Sequence, residues 1–330
     1  MRRRDFIALL GGAAAAWPLR ARAEEPDRVR RVGVLNAFAE ADPQQHAWQG
    51  AFRSCLTELG WSDGRNVRVD YRWAAGNADQ LQSLAAELVG MKPDVLIAIG
   101  TPATAALQAQ TRSIPIVFAA VSDPIGSGFV KSLASPGGNI TGFIDIEASL
   151  SGKWLELMRA IAPRVTRVVL LFNPQTAPFA RYYLDTFRAA AAAFAIDPIE
   201  APVRTKAEAE AVVTKLGREG GAGLILMPDA SMWNYGATIF AAADRYRLPT
   251  IYPTSSFVAA GGLLSYGINF SDLQRGAASY TDRILRGAEP SELPVQLPTK
   301  FELAINLKTA KALGLTIPPS LIATADEVVE

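Results

Sequence analysis

Apolar runs of strand length alternate along this chain with segments whose apolar residues recur at helical spacing. Val32–Leu35 is the first such run. A helix-like stretch follows from about Gln44 to Leu59, and Asn66–Trp73 alternates as a half-buried strand does. In DQLQSLAAELVG, apolar residues fall at Leu81, Leu84, Ala85, Leu88 and Val89, which predicts a helix. Asp94–Gly100 (DVLIAIG) and Ile116–Val121 are continuously apolar, as parallel strands covered on both faces are. Strands alternating with helices predict an α/β fold with parallel sheets.

The second half repeats the first. RVRRVGVL at 28–35 resembles RVTRVVLL at 164–171, LIAIGTPA at 96–103 lines up with LILMPDAS at 224–231, and IPIVFAAVSD at 114–123 lines up with LPTIYPTSSF at 248–257. The offsets are 136, 128 and 134 residues, in matched order. The pattern predicts two similar three-layer α/β/α lobes with mainly parallel sheets. Ligands of open α/β sheets sit beyond the carboxyl ends of the strands, so two facing lobes would make a cleft lined from both sides by strand-end loops.

Candidate ligand residues are therefore read at those ends. Asn36 and Phe38 follow the first strand. Thr101, Ala103 and Thr104 follow DVLIAIG, with Thr101 a good cap and Pro102 a good first helical residue. The free N–H groups of that helix would suit a ligand carboxylate, and a plain capped helix is the competing reading. Ser122 and Asp123 follow the next strand; Asp123 could meet a ligand or cap the chain after it. In the second half the matching ends are Asn173, Asp229 and Thr254, and Asn269 follows the late strand Leu263–Gly267. Aromatic residues gather at the same ends, among them Phe38, Trp233, Tyr235, Tyr252, Phe257, Tyr266 and Phe270, and could sandwich a flat ligand. In the loop-rich stretch 121–142 (VSDPIGSGFVKSLASPGGNITG), Gly126–Leu133 is read as a helix and Pro136–Asn139 as a tight turn, with Ile140–Ile146 leading out of the first lobe.

The first 23 residues stand apart. MRRRDFIALLGGAAAAWPLRARA has a basic start, an apolar middle too short to span a bilayer, and an Ala21-Arg22-Ala23 end. That is the anatomy of a cleaved export signal, and Arg3-Arg4-Asp5-Phe6-Ile7 fits a twin-arginine pattern. No cysteine follows the signal closely, so a soluble periplasmic protein without a lipid anchor is expected. Cys55, the one cysteine, reads as a small buried hydrophobe.

The whole chain carries 33 basic and 32 acidic residues. Residues 1–23 hold five of the arginines and one aspartate, so the remainder has 28 basic and 31 acidic residues, net −3. Without a basic tract, nucleic acid is not expected as a partner. The remaining length of roughly 300 residues suits two domains of ~150.

Catalytic signatures are missing. His46, the sole histidine, sits at a helix start without a metal-ligand neighbour and reads as a surface residue. No G-x-S-x-G elbow, dinucleotide fingerprint or phosphate loop occurs. No enzyme activity, cofactor or metal is therefore expected. An acid–base pair of Asp123 and Asp229 is the remaining route to catalysis.

Residues 28–330 resemble the periplasmic substrate-binding proteins of ABC transporters with a type I binding-protein fold, in the branch that includes aromatic amino-acid binders. The resemblance rests on GTPATAALQ (100–108), IPIVFAAVSDPIGSGFVKSLASPGGNITGF (114–143), the Asn-Pro pair at 173–174, PDASMWN (228–234) and FELAINLKTAKALGLTIPPSLIATADEVVE (301–330). It implies a multi-strand hinge with three crossings. Residues 28–143 plus about 268–297 would form lobe 1, and 144–267 plus about 298–330 lobe 2. It further implies a monomeric receptor that closes on a small molecule, an aromatic amino acid or related small carboxylate, and presents it to an ABC permease in the inner membrane. The positions matching the family's ligand contacts are Thr101, Ala103, Thr104, Ser122, Asp123, Asn173 and Asp229; positions 36–38 and 230–235 depart from it. The same fold also serves ligand-sensing partners of membrane kinases and chemoreceptors.

Overall fold

The computed structural model describes residues 28–41, 43–145 and 149–330. The export segment expected at 1–23, and the end of the Ile140–Ile146 run, lie outside the described residues.

The first sheet contains β1 (Arg30–Asn36), β2 (Val67–Trp73), β3 (Val95–Ile99), β4 (Ile116–Val121) and β5 (Ile140–Ile144), in the order β2-β1-β3-β4-β5, all parallel. Helix α1 (Pro43–Glu58) links β1 to β2, α2 (Ala78–Gly90) links β2 to β3, and α3 (Thr101–Gln110) links β3 to β4. The burial of β3 and β4 is complete along their length, which is why they read as unbroken apolar runs: helices cover both faces of a parallel sheet.

After α4 (Leu150–Ile161) the arrangement repeats. Strands β6 (Arg167–Phe172), β7 (Asp197–Pro202), β8 (Ala222–Leu226), β9 (Thr250–Tyr252) and β10 (Leu264–Ile268) alternate with α5 (Ala180–Ala193), α6 (Lys206–Glu219), α7 (Ala230–Arg245) and α8 (Ser255–Ala259). The second sheet runs β12-β11-β10-β9-β8-β6-β7, so β7-β6-β8-β9-β10 reproduces β2-β1-β3-β4-β5. The three repeated segments seen in the sequence are thus β1 with β6, β3 with β8, and β4 with β9. Two further strands widen the second sheet: β11 (Phe301–Asn306), antiparallel to β10, and β12 (Glu327–Val329), with α10 (Leu307–Ala312) and α11 (Pro319–Ala323) between them.

One exchange ties the halves together. The helix after the fifth strand of each half packs on the other half. Helix α4 follows β5 and lies against α5, whereas α9 (Phe270–Leu285) follows β10 and lies against α1, β4 and β5. Both are amphipathic and bury their apolar stripes, Trp154, Leu155 and Met158 in α4 and Leu273, Ala277 and Ile284 in α9. The chain then touches the first sheet once more before β11. The Gln296 N–H donates to the Gly142 carbonyl at 2.9 Å, and the Gln296 carbonyl accepts from the Ile144 N–H at 2.9 Å. Three passages of chain consequently connect the two sheets: after β5, after β10, and ahead of β11.

Three expectations are corrected. Gly126–Leu133 is a series of turns, not a helix. Asp123 Oδ1 accepts the Gly126 N–H at 2.8 Å, and Gly128 at φ 72° breaks any helical continuation. The Lys131 N–H then bonds the Pro136 carbonyl at 3.0 Å, folding the segment back on itself. The cap of α3 is Gly100, not Thr101. Cys55 is half-buried, its thiol 3.6 Å from the Arg275 carbonyl where α1 meets α9. His46 is exposed on α1 as expected.

Candidate functional site

A narrow cavity lies between the carboxyl ends of the two sheets. From the first half come Phe38 after β1, Gly100 and Thr101 after β3, Ala120 at the end of β4 and Asp145 after β5. From the second come Thr176 and Phe179 after β6, Asp229 after β8 and Trp233 in the first turn of α7, with Phe270 at the start of α9. Every strand-end loop that contributes is one the parallel topology brings to this face.

Aromatic rings meet between the halves. Phe38 meets Trp233 edge-on at 5.5 Å between centroids, and Phe270 meets Trp233 at 5.5 Å. Trp48 of α1 stacks on Phe270 at 4.4 Å, backing the cluster from behind. Beside them, Asn234 Nδ2 donates to the Ala75 carbonyl at 3.0 Å, a hydrogen bond from one half to the other. The two halves are therefore in contact across the cavity.

The polar groups of the wall divide into satisfied and unsatisfied. Asp229 is satisfied several times over. It is the N-cap of α7, its Oδ1 accepting the Ser231 and Met232 N–H groups at 2.8 and 3.0 Å and the Thr176 hydroxyl at 2.8 Å. Its Oδ2 accepts the Asn173 N–H at 3.1 Å. Burial pushes its pKa up to about 6 while these four donors hold it down. Asn173 sits behind it, with Nδ2 donating to Ser231 Oγ at 2.9 Å and Oδ1 accepting the Gln175 N–H at 2.9 Å.

Thr101 Oγ1 and Trp233 Nε1, both on buried residues, have no hydrogen-bond partner among the described residues. An orphaned buried donor costs about 1–3 kcal/mol, so such atoms mark places where a further polar group belongs. Thr101 is free because Gly100 takes the cap position at φ 94°, leaving α3 without any side-chain cap. A Cβ at residue 100 would stand 3.3 Å from Ala37 Cβ, and the φ itself excludes other residues. The backbone N–H groups at the start of α3 and the Thr101 hydroxyl thus form one donor cluster at the positive end of a helix dipole.

Of the remaining sequence candidates, Asn36 positions rather than lines. Its Oδ1 accepts the Phe38 N–H at 2.9 Å and its Nδ2 donates to Gln45 at 3.0 Å, fixing the turn that carries Phe38. Ala103 is packed inside α3, and Thr104 Oγ1 donates to the Gly100 carbonyl at 3.0 Å. Ser122 lies against the buried Tyr183 phenol. Asp123 caps the turn at Gly126 and lies outside the cavity wall. Thr254 Oγ1 is 2.8 Å from Ser256 Oγ at the start of α8. Asn269 caps α9, accepting the Ser271 N–H at 2.9 Å, and donates to Glu302 Oε1 at 3.1 Å. Phe38, Thr101, Asp229 and Trp233 are the candidates that the fold brings to the cavity wall together.

Asp145 and Thr176 are wall residues that sequence reasoning missed. Asp145 directly follows β5, where its N–H bonds the Val121 carbonyl at 3.2 Å, and it is 3% exposed. The repeat held the signal that could have found it: each fifth strand leads out of its half, and Asn269 directly follows the equivalent β10.

The family described as ABC transporter substrate binding protein matches residues 31–329. The chain belongs to that family. A tyrosine-binding protein from Clostridioides difficile is 28% identical over 265 residues, covering 80% of this chain and 75% of that protein. A conserved domain protein from Vibrio cholerae is 30% identical, covers 91% of this chain and all of that one, and superposes with a TM-score of 0.85. An ABC domain from Streptococcus pneumonia solved in complex with L-Trp is 26% identical, with 92% and 100% coverage and a TM-score of 0.85. A ligand-free, open substrate-binding protein from Clostridium difficile, also 26% identical with 91% and 99% coverage, superposes at 0.66. These neighbours share the type I periplasmic binding-protein fold. Among the described residues no helix is long and apolar enough to cross a membrane, and no group of His, Cys, Asp and Glu could hold a metal ion.

Proposed function

We propose that this substrate-binding protein is the periplasmic receptor of an ABC uptake transporter and closes around an aromatic amino acid. The observation that carries the reading is the cavity itself: rings of Phe38, Trp233 and Phe270 beside two unpartnered donors, Thr101 Oγ1 and Trp233 Nε1. Rings provide apolar faces for a flat side chain, and the donor cluster at α3 suits a carboxylate. The tyrosine named for one relative and the L-Trp bound to another support the same ligand class.

The better superposition on the L-Trp complex than on the ligand-free open relative, at equal sequence identity, supports a closed arrangement of the halves here. Opening would separate Phe38 from Trp233 and break the Asn234–Ala75 hydrogen bond, with bending confined to the three passages between the sheets. Lobe 1 then comprises residues 28–143 and about 268–297, lobe 2 residues 144–267 and about 298–330. Export through the N-terminal segment, action as a monomer and delivery to an inner-membrane permease complete the reading. Catalysis is not part of it, because the donors around Asp229 leave it no free geometry for acid–base work and Asp123 holds a turn.

Thermal unfolding in the presence of L-tyrosine, L-tryptophan, sugars and nucleosides tests this. At about 100 times Kd a ligand stabilises by ~2.7 kcal/mol, so the aromatic amino acids should raise Tm by several degrees. An unmoved Tm with both amino acids would overturn the ligand class. Small-angle scattering should show a smaller radius of gyration with ligand than without.

A further inference from the structure

We propose that the first half encloses a binding site for a single water molecule, held by Gln45 and Tyr71, and that Gln45, braced there, positions the Phe38 ring of the ligand cavity. The water site stands on its own. Its effect on a ligand rests on the amino-acid reading above.

The register of the first sheet builds the floor of this site. Side chains two residues apart in a strand share a face, and β1 lies beside β2. Val34 is paired with Tyr71 and Asn36 with Trp73, so the four stand on one face in two rows. Helix α1 lays Gln45 and Trp48 over them, and Gln274 of α9 joins the wall. What remains between is a pocket of about 10 Å³, the scale of one water molecule and too small for an organic ligand.

A chain of hydrogen bonds fixes the orientation of the Gln45 amide. Asn36 Oδ1 accepts the Phe38 N–H at 2.9 Å. Asn36 is left with Nδ2, a donor, which takes the Gln45 oxygen at 3.0 Å. Gln45 must therefore turn Nε2 the other way. That atom has no hydrogen-bond partner among the described residues, although Gln45 is only 1% exposed. The buried Tyr71 hydroxyl on the same wall is also unpartnered. Gln49 and Arg53 come near enough to oppose the rise that burial gives its pKa, without reaching hydrogen-bond geometry. A buried donor without an acceptor is costly, and a polar pocket of this size holds water. One water can accept from Nε2 and exchange a hydrogen bond with the hydroxyl, so it satisfies both atoms.

The site lies directly behind the ligand cavity. Gln45 holds Asn36, Asn36 holds the backbone of Phe38, and Trp48 of the same pocket stacks on Phe270. Phe38 and Phe270 are two of the three rings that face the ligand. Gln45 itself is absent from the cavity wall, so it acts on a ligand through Asn36 and is a positioning residue.

A crystal structure at a resolution that shows ordered waters is the direct test. One water should lie about 2.7–3.2 Å from both Gln45 Nε2 and Tyr71 Oη. A dry pocket, or Nε2 bonded to another protein atom, would overturn the site. Calorimetric titration with L-tryptophan tests the link to the ligand. Gln45→Met, similar in length but without the amide, should weaken binding roughly 5- to 10-fold, about the worth of one hydrogen bond. In a Phe38→Ala background the same substitution should change affinity by less than about 2-fold, because the ring it positions is gone. Equal losses in both backgrounds would show a merely structural effect and overturn the link. Tyr71→Phe deletes one partner of the water and no contact of Asn36, so it serves where Gln45→Met does not fold. It should lower the water's occupancy and weaken L-tryptophan by roughly 2- to 3-fold. A folded Tyr71→Phe with occupancy and affinity both unchanged would overturn the proposal. A protein that binds neither L-tryptophan nor L-tyrosine overturns the amino-acid reading instead, while the crystallographic result decides the water site without any ligand.

Discussion

The corner from β3 into α3 and the corner from β8 into α7 are the same place in the two halves. Thr101 aligns with Asp229 at the 128-residue offset, and both reach one cavity. In the second half the aspartate turns back and closes its own helix, taking the Ser231 and Met232 N–H groups. In the first half glycine at residue 100 starts the helix one position earlier, so no side chain covers its N-terminus and the Thr101 hydroxyl stays unpartnered. One corner closes its helix with a side-chain cap and the other leaves its helix uncapped. The difference comes from a single backbone choice, positive φ at Gly100 against extended backbone at Asp229, φ −133°.

The largest expected effect tests the closed corner. Asp229→Ala strands the Ser231, Met232 and Asn173 N–H groups in a buried site, so urea denaturation should show a loss of about 3–4 kcal/mol. A loss under 1 kcal/mol would mean that the cap carries little.

The same residue should make stability depend on pH. Its folded pKa of about 6 lies above the ordinary 3.8, so the folded state binds the extra proton between these values. Its contribution is then fully present below about pH 4 and lost as pH rises through 6, on the order of 2–3 kcal/mol in all. Denaturation at pH 5 and 7.5 should therefore show Asp229→Asn lacking a gain on acidification that the wild type has.

The open corner gives smaller stability effects. Gly100→Ala forces a side chain into a backbone conformation reserved for glycine and against Ala37, costing about 1–3 kcal/mol by the same denaturation measurement. Thr101→Val is the opposite case. It replaces an unpartnered hydroxyl by a methyl of similar size, so stability should shift by less than about 0.5 kcal/mol. Affinity for L-tryptophan should nevertheless fall by roughly 5- to 10-fold, the worth of one hydrogen bond, in calorimetric titration. If Thr101→Val lowered stability as much as Asp229→Ala, the contrast between the corners would be gone.

The helix-capping residues show where reading the sequence reached its limit. Asp229, Asn269 and Thr254 all stood at strand ends and all drew attention as polar groups facing a cleft. Asp229 and Asn269 cap helices by hydrogen bonds and Thr254 holds the cap position of α8. Asx and hydroxyl side chains suit both tasks, because a cap and a ligand contact need the same short polar group at the same corner. Asp123 met a similar end one turn later, at Gly126. Asp145 escaped notice for the opposite reason: it lies in GFIDIE, a run that reads as strand and passage, with no helix start to single it out.

The alternation of apolar runs and amphipathic segments, repeated at near-constant offsets, determined the class of fold and the duplication. Those features depend on burial, and burial is written locally in residue type and spacing. The twist of Gly100, the exchange of α4 and α9 between the halves, and the meeting of Phe38 with Trp233 belong to the tertiary structure alone. They join residues far apart in the chain, such as Asn234 with Ala75, through contacts that no local pattern encodes. Which polar group at a strand end serves the fold and which remains for a ligand is settled by that same long-range packing, since only the finished neighbourhood determines whether a donor already has its partner.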